Sequence, residues 1–395
     1  MLQYLRAHPV LMISIAQLFA TSLWFSANSA GFDLIREWQI DISDIGLLTN
    51  AVQAGFILGT FLIAFSGVAD RYQASLIFSC SALFGSIFNL CFAWLSQNIM
   101  EALFFRLLVG ISLAGIYPIG MKLIIEWAPH KAGQALSQLV AMLTLGTALP
   151  YALNSISTDL SWQYIISISS ILAIIAAICI FYLGDKQNLK VRQKCRKSSL
   201  VSPFSAFKIP RFKAAAVGYF GHMWELYTFW TLVPLLIVKT NIDTSFTMIH
   251  SSLLAFFIIA VGAIGCIFGG IFSRYVSNRV VALVALASSG LCCLFFVLGW
   301  DIIPTWLLLI ILIIWGMTVV ADSPQFSALS AQACSIEQLG GALALQNSFG
   351  FFLTIISIAI TTMAFDQLGI NALWIMLIGP VLGILGYIKF DHVKT

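Results

Sequence analysis

Twelve long apolar runs, separated by short polar connections, constrain this chain more than any other feature of its sequence. A helix of about 20 residues crosses about 30 Å of hydrocarbon, so each run is long enough to span a bilayer. Only 9% of the 395 residues are charged, against about 25% in soluble domains, which is too few to cover a water-exposed surface. The sequence therefore predicts an all-α membrane protein with twelve transmembrane helices. The predicted spans are 8–30, 44–66, 74–95, 99–122, 133–154, 160–184, 214–238, 247–271, 279–299, 304–328, 338–364 and 370–389.

The lysines and arginines are distributed very unevenly between the two sides of these spans. If the N-terminus is cytoplasmic, seventeen of the twenty cations lie on the cytoplasmic side, and only Arg36 and Lys239 lie outside. Cytoplasmic loops carry such an excess of positive charge. We therefore expect a multi-pass protein of the cell (inner or plasma) membrane with both termini in the cytoplasm. The first run loosely fits a cleaved signal peptide, but its length and the division of the spans into six and six favour a retained helix.

One connection is long and strongly basic, and it divides the chain into halves. Residues 185–213 contain nine cations, two prolines and several serines. This composition predicts a solvated cytoplasmic linker, which could also bind anionic lipid headgroups. The expected organisation is an N-terminal six-helix bundle at 1–184, the linker at 185–213 and a C-terminal six-helix bundle at 214–395.

The two halves repeat short sequence features at a nearly constant offset. Three matches lie at equivalent places: Arg71-Tyr72 with Arg274-Tyr275 at an offset of 203, Gly110 and Pro118 with Gly316 and Pro324 at 206, and Gly133 with Gly340 at 207. The repeat predicts two pseudo-symmetric six-helix bundles. Transporters built from such repeats expose a central site to each side of the membrane in turn, as one bundle rocks against the other.

Two segments of the first half resemble motifs of a known family. The segment 66–73 is similar to the loop motif of the major facilitator superfamily, and Arg106, Gly110 and Pro118 are similar to its fourth-helix motif. The resemblance covers essentially the whole chain, with its twelve spans and basic central linker. It implies the superfamily fold and transport of a solute.

The resemblance also implies residues that act as a gate. In the family, the loop acid and the arginine beside it latch the two halves together on the cytoplasmic side. This role falls to Asp70 and Arg71, and Arg274 occupies the arginine position of the second copy, where Ser273 replaces the acid. The alternative is that these residues only mark a cytoplasmic turn.

Two acids lie inside predicted spans. Glu225 is near the middle of span 7, and Asp322 is in the cytoplasmic part of span 10. An ionised side chain at the bilayer centre costs at least about 2.5 kcal/mol, so such residues usually have a function. His222 is three residues before Glu225, on the same helical face. We expect Glu225, His222 and Asp322 to carry protons. The alternatives are a structural hydrogen bond from Glu225 to another helix and, for Asp322, a hinge beside Pro324.

Seven further residues are candidates for contact with a substrate, because their aromatic, amide or cationic side chains lie within spans. Arg106 could bind an anionic group, or its side chain could reach the outer surface. The aromatic side chains could instead fill the bundle core, and the amides could bond neighbouring helices. The candidates are Trp24, Asn28, Arg106, Trp224, Tyr227, Gln346 and Asn347.

The sequence contains no phosphate-binding G-x-x-x-x-G-K-[ST] loop, no metal-ligand spacing and no Ser/His/Asp arrangement. We therefore expect no enzyme activity, no cofactor, no nucleic-acid partner and no direct use of ATP. The predicted function is secondary active transport of a small polar or anionic solute by a monomer, coupled to protons, with membrane lipids as the other partners. Only Gly146 and Pro150 match the fifth-helix motif of the family's antiporters, which favours uptake. The alternative is a proton-driven exporter of amphipathic compounds or metal chelators.

Overall fold

A computed structural model describes residues 8–129, 132–156, 160–186, 203–245, 250–334 and 336–391. The chain forms two compact units, Met1–Lys197 and Ser198–Thr395. Most of the described residues of each unit lie in six long helices, two of which are interrupted in unit 1 and one in unit 2.

The first unit contains six helices that correspond to the first six predicted spans. Short helices occupy two of the connections, at Gly31–Trp38 and Val68–Arg71. The six are α1 (Pro9–Thr21 continued by Ser26–Ser29), α2 (Ile42–Ser66), α3 (Ala74–Leu95), α4 (Ile99–Ala114 continued by Tyr117–Trp127), α5 (Ala132–Ile156) and α6 (Trp162–Leu183).

The second unit begins its described part with a short 3-10 helix at Pro203–Lys208. Another 3-10 helix, Gly369–Ile375, joins its last two long helices. The six are α7 (Pro210–Lys239), α8 (Ser251–Val276), α9 (Asn278–Gly299), α10 (Thr305–Ala321 continued by Ser323–Ala333), α11 (Ile336–Leu368) and α12 (Ile378–Asp391).

These helices confirm the predicted all-α architecture of twelve spans. Among the described residues, nine helical segments are long and apolar enough to cross a membrane, and one of them, Gly341–Asp391, covers α11 from Gly341 onward together with all of α12. The two spans missing from these segments are α1, which is interrupted, and α7, which carries several polar side chains. Both are recognised as spans from their places in the twelve-helix pattern of the whole chain. Large apolar side chains such as Phe65, Tyr275 and Ile302 are mostly exposed on the units, as expected of surfaces that contact lipid.

The predicted linker differs from the structure at its C-terminal end. The helix α7 begins at Pro210, so residues 210–213 extend it by one turn beyond the predicted start at 214. Proline is favoured at the first position of a helix, because its fixed φ suits the helix and its missing N–H has no partner there in any case. Residues 187–202 of the linker lie outside the described part of the chain.

The fourth helix of each unit is interrupted at the same place. The second segment of α4 is Tyr117–Trp127 and that of α10 is Ser323–Ala333, so each has 11 residues and the two differ by the offset of 206 found in the sequence. Each segment has a proline at its second position, Pro118 or Pro324. Proline lacks the N–H that would continue the helix and its ring clashes with the preceding turn, which explains both breaks.

Contacts between helices repeat with this offset as well. A Cβ atom added to Gly110 of α4 would lie 2.1 Å from the carbonyl oxygen of Val52 of α2, and one added to Gly316 of α10 would lie 1.9 Å from that of Ile258 of α8. Both members of the pair are displaced by 206 residues. The helices in each unit therefore touch backbone to backbone at this point, where only glycine fits.

A second glycine pair extends this backbone-to-backbone contact between helices, which we call the glycine seam. A Cβ atom at Gly59 would lie 2.6 Å from the carbonyl oxygen of Ile111, and one at Gly265 would lie 2.0 Å from that of Met317. Again both residues differ by 206. Two independent contacts at one offset are strong support for a duplicated unit.

We expect replacement of Gly110 or Gly316 by alanine to destabilise the protein. The added methyl group must push two helices apart, and overpacking of this kind costs about 1–3 kcal/mol, or a fall in melting temperature of about 5 °C for a unit of this size. Thermal unfolding of the purified variants in detergent measures the change. Gly31→Ala is the matched control, because its Cβ would lie 3.8 Å from the side chain of Ile45, an ordinary contact. Equal melting temperatures for all three variants would contradict the proposed seam.

Candidate functional site

The first candidate site is a buried carboxyl group at the centre of unit 2. Glu225 lies fifteen residues after the start of α7 and fourteen before its end, about 22 Å from each end of the helix. Its side chain has no exposed surface. Trp315 Nε1 of α10 donates a hydrogen bond of 2.7 Å to Oε1, and Ser289 Oγ of α9 donates one of 2.8 Å to Oε2. The carboxyl group therefore joins three helices, and both of its oxygens have a partner.

A second titratable pair lies nearby in the same unit. His222 Nδ1 of α7 lies 2.7 Å from Oδ1 of Asp322 of α10, and both side chains are 1% exposed. At this distance one group can donate a proton to the other, either an imidazole N–H to a carboxylate or a carboxylic acid O–H to an imidazole nitrogen. Each side chain is therefore the nearest polar partner of the other in a dry interior, where an unpartnered ionised group is unfavourable.

The break in α10 determines where Asp322 lies. Asp322 is the residue between the two segments of α10, and its carbonyl oxygen accepts hydrogen bonds from the N–H groups of Gln325 and Phe326. Pro324 cannot donate to the carbonyl oxygen of Val320, four residues earlier, and Cys266 Sγ of α8 lies 3.6 Å from that oxygen as an alternative donor. The helix α10 is thus interrupted beside Pro324, and the interruption leaves the aspartate facing α7; the hinge expected there stays a prediction.

Among the described residues of unit 1, Arg106 is the one fully buried cation. Arg106 of α4 has no exposed surface, so its side chain does not reach the outer surface. Its Nη1 atom donates to the carbonyl oxygen of Leu23 at 3.1 Å, to Ser26 Oγ at 3.2 Å and to Asn89 Oδ1 at 3.0 Å, and Nη2 donates to the carbonyl oxygen of Trp24. Among the described residues these hydrogen-bond partners are all neutral.

The break in α1 supplies two of these acceptors. After Thr21 the chain leaves the helix for four residues and resumes it at Ser26. Thr21 and Ser22 donate their hydroxyl protons to carbonyl oxygens of the preceding turn, a competition that often bends helices. The carbonyl oxygens of Leu23 and Trp24 then need donors inside the bundle, and the Arg106 guanidinium provides them.

The two buried charges occupy equivalent parts of the repeated units. Arg106 joins helices 1, 3 and 4 of its unit, and Glu225 joins α7, α9 and α10, the first, third and fourth helices of the other unit. Each unit therefore has a buried ionisable side chain that joins its first, third and fourth helices, on the fourth helix in unit 1 and on the first helix in unit 2.

Several buried amides have no hydrogen-bond partner among the described residues. Both polar atoms of Gln17, Gln53 and Gln346 are in this state, and each side chain is fully buried. Asn28 donates to Thr49 Oγ1 at 2.8 Å and its Oδ1 atom is unpaired in the described structure. Asn347 is only partly buried. Unpaired amides in a dry interior are unfavourable unless water or a bound solute satisfies them, so Asn28 and Gln346 stay candidates for substrate contact.

The predicted aromatic contacts are all packed within their own units. The Trp24 ring lies 5.1 Å from that of Phe56. Trp224 Nε1 donates to the carbonyl oxygen of Ile375 at 3.0 Å, and the Tyr227 ring lies 5.4 Å from that of Phe351. These contacts are those of core side chains, and a role in substrate contact stays a prediction.

The predicted gate residues lie at the ends of helices. Arg71 ends the short helix Val68–Arg71, and Arg274 lies in the last turn of α8, with both side chains exposed. The backbone of Asp70 lies in that short helix, and its side chain is outside the described structure. Lys122 Nζ of α4 donates to the carbonyl oxygen of Ala69, which ties this connection to α4. The latch itself stays a prediction.

Sequence reasoning missed the residues that surround both charges. Ser289 and Trp315 bind Glu225, and Ser26 and Asn89 bind Arg106. An asparagine in an apolar span, such as Asn89, indicates a buried hydrogen bond and could have been used. The sequence gives no such indication for Ser289, because serine is common in membrane helices.

Two repeated six-helix units, each built around a buried charge and covered by exposed apolar side chains, define a multi-pass membrane transporter. A family model described as Major Facilitator Superfamily matches residues 13–357. The chain belongs to the Major Facilitator Superfamily.

Curated relatives match parts of the chain. It is 32% identical over 99 residues to the 4-hydroxybenzoate transporter PcaK of Acinetobacter baylyi, covering 25% of this chain and 21% of that protein. It is 27% identical over 114 residues to the niacin transporter NiaP of the same organism, covering 29% and 25%. The human putative transporter SVOPL is 27% identical over 168 residues, covering 42% and 33%. The chain thus spans between a fifth and a third of these relatives.

Solved structures match the chain along its whole length. A crystal structure of the nucleoside transporter NupG has a TM-score of 0.73 at 17% identity and covers 98% of this chain and 100% of that one. The xylose transporter XylE of E. coli, in a partially occluded inward-open conformation, has a TM-score of 0.75 at 13% identity and covers 98% and 99%. At these identities the likeness establishes the fold alone.

We expect Arg106→Lys to destabilise the protein. A lysine cannot reproduce the fork of donors that binds Leu23, Trp24, Ser26 and Asn89, and each lost hydrogen bond to a charged group costs about 1.5–3 kcal/mol. The melting temperature in detergent should fall by about 5 °C or more. Arg36→Lys is the control, because the Arg36 side chain is 74% exposed and its ion pair with Asp33 is on the surface. An unchanged melting temperature for Arg106→Lys would show that the guanidinium contacts contribute nothing to folding.

Proposed function

We propose that this Major Facilitator Superfamily transporter takes up a small polar or anionic solute together with protons, by alternating access. The observation that carries the proposal is the group of three titratable side chains buried inside unit 2: Glu225, His222 and Asp322. A purely structural interior could replace them with neutral side chains and avoid the desolvation of charge. A proton-coupled transporter needs them.

The three side chains supply more than one protonation state. The His222–Asp322 pair and the Glu225 carboxyl group each offer a buried site for an exchangeable proton. The groups interact electrostatically, so protons would bind to them as a coupled set and not to each residue independently. One proton crossing a membrane at 100 mV releases about 2.3 kcal/mol, enough to concentrate a neutral solute several tens of times.

An anionic solute is supported by the charge of unit 1. Arg106 is fully buried and, among the described residues, has no acidic group among its hydrogen-bond partners. An uncompensated positive charge in a medium of low dielectric constant attracts anions. Two of the curated relatives are named as transporters of aromatic carboxylates, 4-hydroxybenzoate and niacin, which makes these two compounds the first to test.

The remaining parts of the proposal concern location and gating. We place the protein in the cell membrane as a monomer with both termini in the cytoplasm, on the basis of the seventeen cations predicted on that side. Asp70, Arg71 and Arg274 are assigned to the cytoplasmic gate by their resemblance to the family's loop motif.

We expect Glu225→Gln to abolish accumulation of the solute driven by a pH gradient. The amide cannot be ionised, so a carrier that must release its proton inside would stop at that step. Uptake of radiolabelled 4-hydroxybenzoate and niacin into proteoliposomes with an acidic exterior measures accumulation, and exchange of the solute between its two sides at equal pH measures binding and movement of the loaded carrier. Exchange should persist in the variant.

The control is Asp301→Asn, which makes the same change of acid to amide at an exposed turn of unit 2. It should accumulate solute as the parent does. Accumulation by Glu225→Gln equal to that of the parent would remove Glu225 from the coupling mechanism. Solute efflux driven by proton entry would instead support the exporter.

A further inference from the structure

The hydroxyl group of Ser289 lies between two acceptors but has only one proton to donate. Its Oγ atom lies 2.8 Å from Glu225 Oε2 and 3.0 Å from the carbonyl oxygen of Leu286, both within hydrogen-bond distance. The side chain is fully buried, so water does not compete for this proton. At any moment the hydroxyl group therefore donates to one acceptor and leaves the other without it.

The two choices correspond to two states of the glutamate. When Glu225 is ionised, Ser289 donates to Oε2 and the carboxylate receives two hydrogen bonds, one from Ser289 and one from Trp315. When Glu225 is protonated, its own O–H can donate to Ser289 Oγ, and Ser289 turns its proton to Leu286. No atom other than hydrogen has to move.

Trp315 determines which oxygen of the carboxyl group accepts the proton. The indole N–H is only a donor, so Oε1, 2.7 Å from it, is held as an acceptor in both states. Aromatic neighbours hold the indole in place, with the Phe229 ring at 4.4 Å and the Phe296 ring at 6.2 Å between centroids. The proton from the aqueous phase is therefore bound at Oε2, beside Ser289.

We propose that Ser289 is a positioning residue for proton coupling, whose rotating hydroxyl group allows Glu225 to gain and lose a proton while α7, α9 and α10 stay packed. This inference rests on the proposed proton coupling at Glu225. It assigns the proton to Oε2 and keeps Glu225 hydrogen-bonded to both Ser289 and Trp315 in each protonation state.

Other titratable groups face the same carboxyl group. Asp322 of α10 and Cys292 and Cys293 of α9 interact with it electrostatically, and His222 is one turn away on α7. Each can change the pH at which Glu225 titrates. The test must therefore isolate the hydroxyl group at position 289 and leave these four groups unchanged.

The experiment compares Ser289→Ala with Ser289→Thr, which keeps the hydroxyl group. Alanine removes a donor to the ionised carboxylate, and this loss exceeds that of the weaker neutral bond in the protonated state. Proton release then requires a more alkaline interior. In proteoliposomes with the exterior pH fixed, we expect the internal pH for half-maximal net uptake of 4-hydroxybenzoate or niacin to rise by about one unit in Ser289→Ala. Ser289→Thr should keep the parental value.

Solute exchange at equal pH separates this effect from damage to the fold. Exchange by the loaded carrier does not need deprotonation of Glu225, so it should persist in Ser289→Ala. Ser86→Ala is the matched control, since Ser86 is fully buried in α3, the counterpart of α9, and donates to the carbonyl oxygen of Ser170 at 2.8 Å. It should show neither change.

The outcomes distinguish the inference from the proposed function. If Glu225→Gln loses accumulation and Ser289→Ala keeps the parental dependence on internal pH, the role of Ser289 is overturned and the coupling role of Glu225 stands. If Glu225→Gln accumulates solute normally, the proposed function and the inference fail together. An equal shift in Ser289→Ala and Ser289→Thr would also overturn the inference, because it would trace the effect to packing and not to the hydroxyl group.

Discussion

The structure depends on one constraint, which is that polar groups inside the hydrocarbon must find their partners within the protein. Where α1 leaves the helical path, the Arg106 guanidinium donates to the carbonyl oxygens of Leu23 and Trp24. Where Pro324 interrupts α10, Cys266 faces the carbonyl oxygen of Val320, and Asp322 meets His222. Interrupted helices and buried ionisable side chains thus occur together. Each break leaves carbonyl oxygens without their helical donors or places an acid inside the unit, and a side chain from another helix contacts these groups.

The repeated units differ most where they carry charge. Their backbones agree closely, since the 11-residue second segments of α4 and α10 and the glycine contacts at Gly110 and Gly316 all recur at an offset of 206. Unit 1 has a cation whose donors are directed to neutral acceptors, and unit 2 has two acids and a histidine. This asymmetry is what the proposed function uses, because a fixed positive charge suits an anionic solute and an exchangeable proton needs a group that titrates. A symmetric dimer of one unit could not provide both.

Much of the fold could be predicted from the sequence, because the length of the apolar spans and the spacing of glycine and proline can be read along the chain. The offset of 206 between Gly110 and Pro118 in one unit and Gly316 and Pro324 in the other is an example, since glycine and proline affect the backbone without the help of distant partners. The partners of Glu225 could not be predicted in this way. Ser289 and Trp315 are 64 and 90 residues away along the chain, and nothing in the identity of a serine indicates which helix it faces. The sequence left open whether Glu225 carries protons or bonds to another helix. The structure shows hydrogen bonds to Glu225 from two other helices, and its role as a proton carrier stays a proposal.

The glycine seam has an evolutionary consequence. At Gly55, Gly59, Gly110, Gly265 and Gly316 a Cβ atom would lie within 2.6 Å of a carbonyl oxygen on the facing helix, so any side chain there would separate the helices. After a gene duplication, substitutions are tolerated where the protein has room for a larger side chain, and these glycine positions have no such room. Two of these contacts, at Gly59 and Gly110, recur at Gly265 and Gly316 in the second unit, whereas the counterpart of Gly55 is Val261. The closest helix contacts are thus shared by both units, although the buried ionisable side chains beside them differ.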